Sequence, residues 1–272
     1  MKKTAIEYGN YGWNFFPGCL HKQQGICPPT FTCWAEAMTK RQRGDFHEPH
    51  LIAERLLDPL KKHKPGRVLV NFMGDLFGDW VDPNQRIGDW WEDKHYDFYY
   101  PPGWSLKDCV FDVLNLCPDD RFLFLTKRPD RLQLWSPFPD NCFIGVSVTG
   151  AEQTGYLVPF CKVEAPIKFL SIEPLLVPLY EGMPDILEKV LVIAGIKWVI
   201  IGQVTPIKQA RMPKIEWISE IIEACDKAGI PVWLKNNLNP LFAETTTIAD
   251  KWVFSKTNFM RGELYRQEVP DD

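Results

Sequence analysis

Residues 121–129 read Arg-Phe-Leu-Phe-Leu-Thr-Lys-Arg-Pro, a short apolar run that ends in two cations and a proline. Such a run is typical of a strand that is buried on both faces of a parallel sheet. Other short runs of aliphatic and β-branched residues share this pattern. They predict strands at 68–73, 121–126, 142–148, 167–172, 198–201 and 231–235, with one more near 12–16.

Longer amphipathic segments separate these runs and predict helices. Ser105 is suited to cap a helix N-terminus, and Gly44 and Gly229 stand where a helix end favours a left-handed residue. Alternating strands and helices predict an α/β fold, built as a partial or complete parallel (β/α) barrel of about six to seven strands. The predicted helices lie at 33–43, 50–63, 105–117, 129–135, 151–161 and 214–229.

A length of 272 residues with 45% hydrophobic content predicts one barrel-sized domain that spans residues 1–272. The segment 78–104 is rich in aromatic residues and is predicted to be an insertion, which either packs on itself or stacks on a planar substrate. Residues 239–272 show no strong periodicity and are predicted to form a C-terminal extension that packs across the barrel.

Charge and hydropathy argue against several classes of protein. A formal net charge of −4 argues against tight, nonspecific binding to duplex nucleic acid. No apolar run approaches the roughly 18–20 residues that a membrane span needs. Polar residues at 7–10 follow the charged start, where a signal peptide would be apolar. We therefore expect a cytoplasmic protein that does not bind membranes.

Charged and amide side chains follow most of the predicted strands. In parallel barrels the chemistry gathers at the carboxyl ends of the strands, so these side chains predict a functional site. The residues are Asn71, Met73, Gly74, Asp75, Lys127, Arg128, Ser147, Thr149, Glu173, Pro174, Gly202, Gln203, Lys235, Asn236 and Asn237.

Three cysteines, Cys19, Cys27 and Cys33, stand in a turn-rich loop between the first predicted strand and the first predicted helix. A disulfide framework is not expected without a secretory signal, so these thiols are predicted to be metal ligands. With His21 they would complete a closed, structural zinc site. Without a fourth protein ligand they would suit an iron–sulfur cluster with one iron open to substrate. The spacing alone leaves both alternatives open.

Seven motifs resemble, in order, those of a phage and prokaryotic family of radical-SAM-like proteins, the three-Cys-motif proteins. The resemblance covers the chain from Trp13 to Lys235, but five residues separate Cys27 from Cys33 where that family usually has two. The motifs are Pro17-Gly-Cys19, Cys33-Trp-Ala-Glu36, Phe72-Met-Gly-Asp-Leu-Phe77, Leu125-Thr-Lys-Arg-Pro129, Gly145-Val-Ser-Val148, Phe169-Leu-Ser-Ile-Glu-Pro-Leu175 and Trp198-Val-Ile-Ile-Gly202.

The resemblance implies a radical-SAM-like barrel that holds a [4Fe–4S] cluster on Cys19, Cys27 and Cys33, with S-adenosylmethionine as co-substrate. Reductive cleavage of S-adenosylmethionine would then give a 5′-deoxyadenosyl radical, which acts on an unknown substrate. A nucleic-acid base or nucleoside is one candidate substrate. The electron would come from a donor such as a flavodoxin or ferredoxin.

The resembled fold also implies where S-adenosylmethionine binds. Its methionyl end would meet the residues after the strand 68–73, and Ser147 would take the ribose hydroxyls. Alternatively, Asp75 merely caps the following turn and Ser147 is a buried hydroxyl satisfied by backbone. The residues predicted to bind the cofactor are Asn71, Phe72, Met73, Gly74, Asp75, Ser147 and Gln203.

Lys127, Glu173 and Lys235 are the predicted catalytic residues. Lys127 and Glu173 are expected to act on the substrate or the adenosyl group through charge-assisted hydrogen bonds, and the alternative is that they pair only with each other. A second function from a different class is a non-catalytic binding protein, in which zinc stabilises the barrel.

Overall fold

A computed structural model describes residues 1–27, 31–42, 44–61, 63–87, 103–207, 211–243 and 266–271 of the chain. The eight strands are β1 (Lys2–Lys3), β2 (Tyr11–Trp13), β3 (Arg67–Val70), β4 (Arg121–Thr126), β5 (Cys142–Val148), β6 (Ile167–Ile172), β7 (Ile196–Ile201) and β8 (Val232–Leu234). Within these described ranges the α-helices are α1 (Trp34–Arg41), α2 (Leu106–Leu116), α3 (Leu157–Cys161), α4 (Pro184–Ile193), α5 (Ile215–Ala228) and α6 (Asn239–Ala243).

The predicted α/β class is confirmed. The strands form an eight-stranded, open and mostly parallel sheet whose order follows the chain. Sequence reasoning found seven of the strands and missed β1, which has only two residues and pairs antiparallel with β2. A two-residue strand carries no apolar period, so no pattern could have indicated it.

The chain divides into two compact units, one of Met1–Phe143 with Val163–Pro166 and one of Ile144–Lys162 with Ile167–Asp272. In the first unit, β2, β3 and β4 pair in parallel. Trp13 and Phe122 are fully buried there, with ring centroids 5.8 Å apart. Burial of such aromatic side chains is a large part of what stabilises a core.

In the second unit, β6, β7 and β8 pair in parallel and α4 packs against α5. Residues 266–268 run antiparallel beside β8, where the backbone N–H of Leu234 donates to the carbonyl of Arg266. These residues belong to the predicted C-terminal extension, of which 244–265 and 272 lie outside the described residues. Residues 88–102 of the predicted aromatic insertion also lie outside them.

Helix ends follow the sequence signals in two of three cases. The Ser105 side chain and Asp108 form a capping box at the start of α2, and Gly229 adopts the left-handed conformation after α5. Gly44 is not a helix cap, because α1 ends at Arg41 and Gln42 occupies the cap position.

Three helical predictions need correction. The segment 50–63 contains two single 3₁₀ turns, Ala53–Arg55 and Asp58–Leu60, because Pro59 lacks the N–H that a continuous helix needs. The predicted helix at 129–135 is the 3₁₀ helix Pro129–Leu134, and that at 151–161 is the 3₁₀ helix Ala151–Tyr156 followed by α3. Helix α4 was not predicted, since its apolar residues run together at 190–193 and obscure the helical period. No helix among the described residues is long and apolar enough to cross a membrane.

The strand predicted at 68–73 ends earlier than expected, at Val70. Asn71 takes a positive φ of 54°, a left-handed conformation that asparagine tolerates better than most residues. Its backbone N–H donates to the Trp13 carbonyl, and its side-chain Oδ1 accepts from the backbone N–H of Phe16. The chain therefore leaves the sheet at Asn71 and turns toward the loop that carries Cys19.

Gly74 lets this turn lie directly against the cysteine loop. The backbone N–H of Gly18 donates to the Met73 carbonyl at 3.0 Å, and Gly18 and Gly74 form an isolated parallel bridge. A Cβ on Gly74 would stand 2.5 Å from the Gly18 carbonyl oxygen and 2.9 Å from that of Phe16. Only glycine fits at this position without a backbone shift.

Replacing Gly74 by alanine should therefore destabilise the protein by about 1–3 kcal/mol, the usual cost of forcing extra atoms into a packed site. Gly155→Ala is the matched control, because a Cβ there meets nothing within 4 Å. Denaturant melts of the two variants give the comparison. Equal midpoints for both would show that the 71–77 turn does not depend on this close approach.

Candidate functional site

The three cysteines are positioned by hydrogen bonds of their own loop. The backbone N–H of Cys19 donates to the Phe46 carbonyl at 2.9 Å, and the backbone N–H of His21 points at Cys19 Sγ at 3.5 Å. The backbone N–H of Cys27 donates to the His21 carbonyl, which folds residues 21–27 back on themselves. Cys33 is the N-cap residue of α1.

The three thiols lie within electrostatic range of one another. Cys19 interacts with both Cys27 and Cys33, and Cys27 interacts with Cys33. Burial raises the pKa of the Cys19 and Cys27 thiols, so these two stay protonated unless a nearby cation favours the thiolate. Within the described ranges, no three His, Cys, Asp or Glu side chains are close enough together to hold a single metal ion.

Lys127 brings a positive charge to these thiols. Its ammonium lies 5.4 Å from the ring centroid of Phe31, which belongs to the cysteine loop. Burial lowers the pKa of Lys127, while the Asp75 carboxylate, and Cys27, Cys33 and Cys19 in their thiolate forms, would act in the opposite direction. The contact between Lys127 and Phe31 could not be predicted from sequence, because the two residues are distant in the chain and no motif contains both.

Asp75 forms hydrogen bonds with the end of β4, directly where Lys127 follows that strand. Its Oδ2 accepts hydrogen bonds from Thr126 Oγ1 at 2.9 Å and from the backbone N–H of Lys127 at 3.1 Å. Its Oδ1 accepts from the backbone N–H of Phe77 at 2.9 Å. The side chain is only 4% exposed. Asp75 therefore caps its own turn and also joins that turn to β4.

His21 lies beside this carboxylate. Its Nε2 is 3.5 Å from Asp75 Oδ2, and its ring centroid is 5.2 Å from that of Trp80. Burial lowers the pKa of His21. In the described part of the chain, the buried Nε2 has no hydrogen-bond partner. A buried ring nitrogen of this kind is available to a ligand or a water molecule.

The remaining residues of the predicted cofactor segment are tied to the first unit through their backbones. The N–H of Met73 donates to Asn14 Oδ1 and that of Gly74 to the Asn71 carbonyl, both at 2.9 Å. The ring of Phe72 lies 6.4 Å from that of Tyr8. The buried Nδ2 of Asn71 has no hydrogen-bond partner within the described residues. The segment is thus rigid and retains one unsatisfied donor.

Glu173 and Lys235 come together in the second unit. Glu173 Oε1 lies 2.6 Å from Lys235 Nζ, and Ser171 Oγ donates to Glu173 Oε2 at 3.1 Å. A Cβ on Gly202 would stand 2.8 Å from Glu173 Oε1, so the glycine leaves room for the ion pair. Both charged side chains are half-buried. Such a pair offers a proton donor and a proton acceptor side by side.

Gln203 follows β7 and is held by hydrogen bonds to Asn237. The backbone N–H of Gln203 donates to Asn237 Oδ1 at 3.2 Å, and Asn237 Nδ2 donates to the Gln203 carbonyl at 2.8 Å. Gln203 Nε2 also donates to the Asn237 carbonyl. Ser147 is a buried residue of β5, and Thr149 after that strand bonds to Gln153 Oε1.

Asp75→Ala should lower the free energy of unfolding by about 2–4 kcal/mol, since it removes the acceptor of three buried hydrogen bonds. Asp79→Ala is the control, because the exposed Asp79 carboxylate makes ion pairs with Arg128 and Arg131 that are worth at most about 1 kcal/mol. Urea denaturation measures both. A loss for Asp75→Ala no greater than for Asp79→Ala would show that Asp75 does not brace the strand ends.

Comparisons with known proteins identify a family and no characterised relative. No curated protein and no solved structure matches the chain. A family described as a protein of unknown function (DUF5131) matches residues 3–93 and 102–249. Because the match covers most of the sequence, the chain belongs to this family.

Proposed function

We propose that this protein is a radical-SAM-like enzyme that binds a [4Fe–4S] cluster through Cys19, Cys27 and Cys33. The observation that carries the proposal is the folding of the cysteine loop, in which the backbone N–H of Cys27 donates to the His21 carbonyl and that of His21 points at Cys19 Sγ at 3.5 Å. Three thiolates can each hold one iron of a cubane, which leaves the fourth iron open to a small molecule. The resemblance to the three-Cys-motif proteins supports the same assignment.

The chemistry of the donors in the loop supports the proposal of such a cluster. Thiolates are the usual protein ligands of iron–sulfur clusters, and backbone N–H groups directed at a sulfur tune them. The N–H of His21 takes that position at Cys19 Sγ. Burial lowers the pKa of Lys127, and thiolates in this loop would act in the opposite direction and favour its ammonium. When bound, the cluster would supply the electron for reductive cleavage of S-adenosylmethionine to a 5′-deoxyadenosyl radical.

The chain's own residues would bind and orient S-adenosylmethionine at the turn after β3. The backbone of Phe72 to Gly74 is held rigidly there, and the free Nδ2 of Asn71 can donate to a carboxylate. Asp75 would act by holding the turn and Lys127 in place, through the three hydrogen bonds it accepts. Ser147 and Gln203 belong to the second unit, and their predicted role in binding S-adenosylmethionine stays a prediction.

Glu173 and Lys235 are proposed as the acid–base pair that acts on the substrate. Their direct contact at 2.6 Å lets a proton move between a carboxylate and an ammonium as a substrate group changes charge. A nucleic-acid base or nucleoside is the proposed substrate class. A flavodoxin or ferredoxin is the proposed electron donor. A cytoplasmic location and a radical-SAM-like barrel complete the proposal.

Replacing any one of Cys19, Cys27 or Cys33 by alanine should abolish iron and sulfide binding, because two thiolates rarely retain a cubane. Cys117→Ala and Cys161→Ala are the controls and should load normally. Iron and sulfide per chain are measured after anaerobic reconstitution. Reduced wild-type protein should release 5′-deoxyadenosine from S-adenosylmethionine, and Cys27→Ala should release none. Normal iron in Cys27→Ala would overturn the ligand assignment.

A zinc-stabilised binding protein is the second candidate, and the unpartnered Nε2 of His21 favours it. If the protein binds zinc, His21 would be the fourth ligand of a closed tetrahedral site. The protein would then purify colourless, with zinc and without sulfide. If the protein binds the iron–sulfur cluster instead, it should be brown and contain both iron and sulfide.

His21→Ala separates the two candidates. If the site binds a cluster, the variant should keep its iron and lose little stability, since the histidine is not a ligand. If the site binds zinc, the variant should lose metal as completely as the cysteine variants. Metal analysis of the purified variant, beside that of Cys33→Ala, gives the answer. Loss of iron from His21→Ala would contradict a ligand set of three cysteines alone.

A further inference from the structure

We propose that Glu36 is a positioning residue of the three-cysteine site, because its carboxylate links the chain segments on which the three cysteines depend. The inference rests on the proposed function for what the site binds, and it adds how firmly the site holds it. Glu36 closes the Cys33-Trp-Ala-Glu36 motif, in which the sequence predicted a role for the cysteine alone.

The carboxylate of Glu36 joins its own helix to the segment 21–27. Lys22 Nζ donates to Glu36 Oε2 at 2.6 Å. A backbone hydrogen bond from the N–H of Cys27 closes this segment on itself, so Lys22 and Cys27 belong to the same fold of the chain. Glu36 stands in the first turn of α1, whose N-cap residue is Cys33. The ion pair therefore links the segment of Cys27 to the helix that starts at Cys33.

The same carboxylate contacts the segment that holds Cys19. His47 Nε2 lies 3.5 Å from Glu36 Oε1. The neighbouring residue, Phe46, accepts a hydrogen bond at its carbonyl from the backbone N–H of Cys19 at 2.9 Å. This segment therefore contacts Glu36 through a side chain and Cys19 through the main chain.

Glu36 stays ionised in this position. The side chain is 11% exposed, and its Oε1 also accepts a hydrogen bond from Lys40 Nζ at 2.8 Å. The hydrogen bonds from Lys22 and Lys40 lower the pKa of Glu36 to about 2. Hydrogen bonds between a carboxylate and an ammonium are stronger than those between neutral groups. The links made by Glu36 are therefore present at neutral pH.

Lys22 and Lys40 differ in what their bonds to Glu36 connect. Lys40 belongs to the same helix as Glu36 and forms an (i, i+4) ion pair within it. Lys22 belongs to the cysteine loop, so its ion pair joins two separate segments. Replacing one lysine or the other therefore removes a cation from the same carboxylate, but only loss of Lys22 breaks a link between segments.

The test compares how fast reconstituted Lys22→Met and Lys40→Met release iron to a chelator. Release requires local opening of the loop, which the ion pair of Lys22 opposes. Loss of this partly exposed pair should speed release about fivefold in Lys22→Met. Lys40→Met and Lys22→Arg should release iron at the wild-type rate, since arginine keeps the charge and the reach of lysine. Equal rates for Lys22→Met and Lys40→Met would overturn the inference.

Glu36→Gln separates the link from a direct effect of charge on the sulfurs, because Lys22 also acts electrostatically on Cys27. If Lys22 acted only through its charge, Glu36→Gln would leave that charge unbalanced, favour the thiolates and slow the release of iron. If Glu36 links the segments, Glu36→Gln should speed release, as Lys22→Met does. Opposite effects of the two substitutions would overturn the inference.

Alkylation of the metal-free protein by iodoacetamide tests the link without a cluster. The Cys27 thiol is buried, so the reagent reaches it when the loop opens. Cys27 should react about fivefold faster in Lys22→Met than in Lys40→Met or the wild type. The buried Cys109 of α2 is the internal control and should react equally slowly in all three, since only global unfolding exposes it.

The alkylation result also separates this inference from the proposed function. An unchanged rate at Cys27 in Lys22→Met would overturn the inference, whether or not the protein binds iron. Faster alkylation of Cys27 in Lys22→Met, together with a wild-type protein that binds neither iron nor sulfide, would support the link and overturn the proposed function alone.

Discussion

The buried carboxylate of Asp75 is the constraint on which the strand ends of the first unit depend. It accepts hydrogen bonds from its own turn, at the N–H of Phe77, and from the end of β4, at Thr126 Oγ1 and the N–H of Lys127. A buried carboxylate is costly unless hydrogen-bonded, and hydrogen bonds to a charged acceptor are stronger than neutral ones. One side chain thereby ties two loops into a single rigid support.

The cysteine loop is attached to that support by main-chain contacts and by the side chain of Asn71. Gly18 and Gly74 bridge the two segments, and neither can gain a Cβ without a clash with backbone atoms. Asn71 takes a left-handed conformation so that its side chain can accept from Phe16. Main-chain contacts place Cys19 next to the end of β3 with little freedom. Rigid placement of ligands is what a metal site requires.

Sequence reasoning succeeded where burial on both faces of a strand leaves a continuous apolar run. The bounds of β4, β5 and β6 follow directly from such runs. It failed where one residue changes the local backbone. Asn71 ends β3 three residues early, and Pro59 breaks the helix predicted at 50–63. Asn71 and Pro59 are both visible in the sequence. The predictions rested on hydrophobic periodicity, which takes no account of single residues that change the backbone.

The candidate site was predictable only in its parts. The three cysteines stand out by type and spacing, and Lys127, Glu173 and Lys235 stand out by their position after strands. Their partners do not, since the contact of Lys127 with Phe31 and that of Glu173 with Lys235 join residues far apart in the chain. Such pairings are decided by tertiary packing, for which a single sequence carries no local pattern.

Lys127 and Lys235 are the two cations of the predicted catalytic set, and they have different partners. Lys235 Nζ lies 2.6 Å from Glu173 Oε1, and the two side chains form an ion pair. Lys127 interacts with Asp75 and with the thiols of Cys27, Cys33 and Cys19, and burial raises the pKa of the Cys19 and Cys27 thiols. Metal binding releases thiol protons. A bound cluster would therefore create the thiolates that stabilise the Lys127 ammonium, while the ammonium stabilises the thiolates, so each charge favours the other.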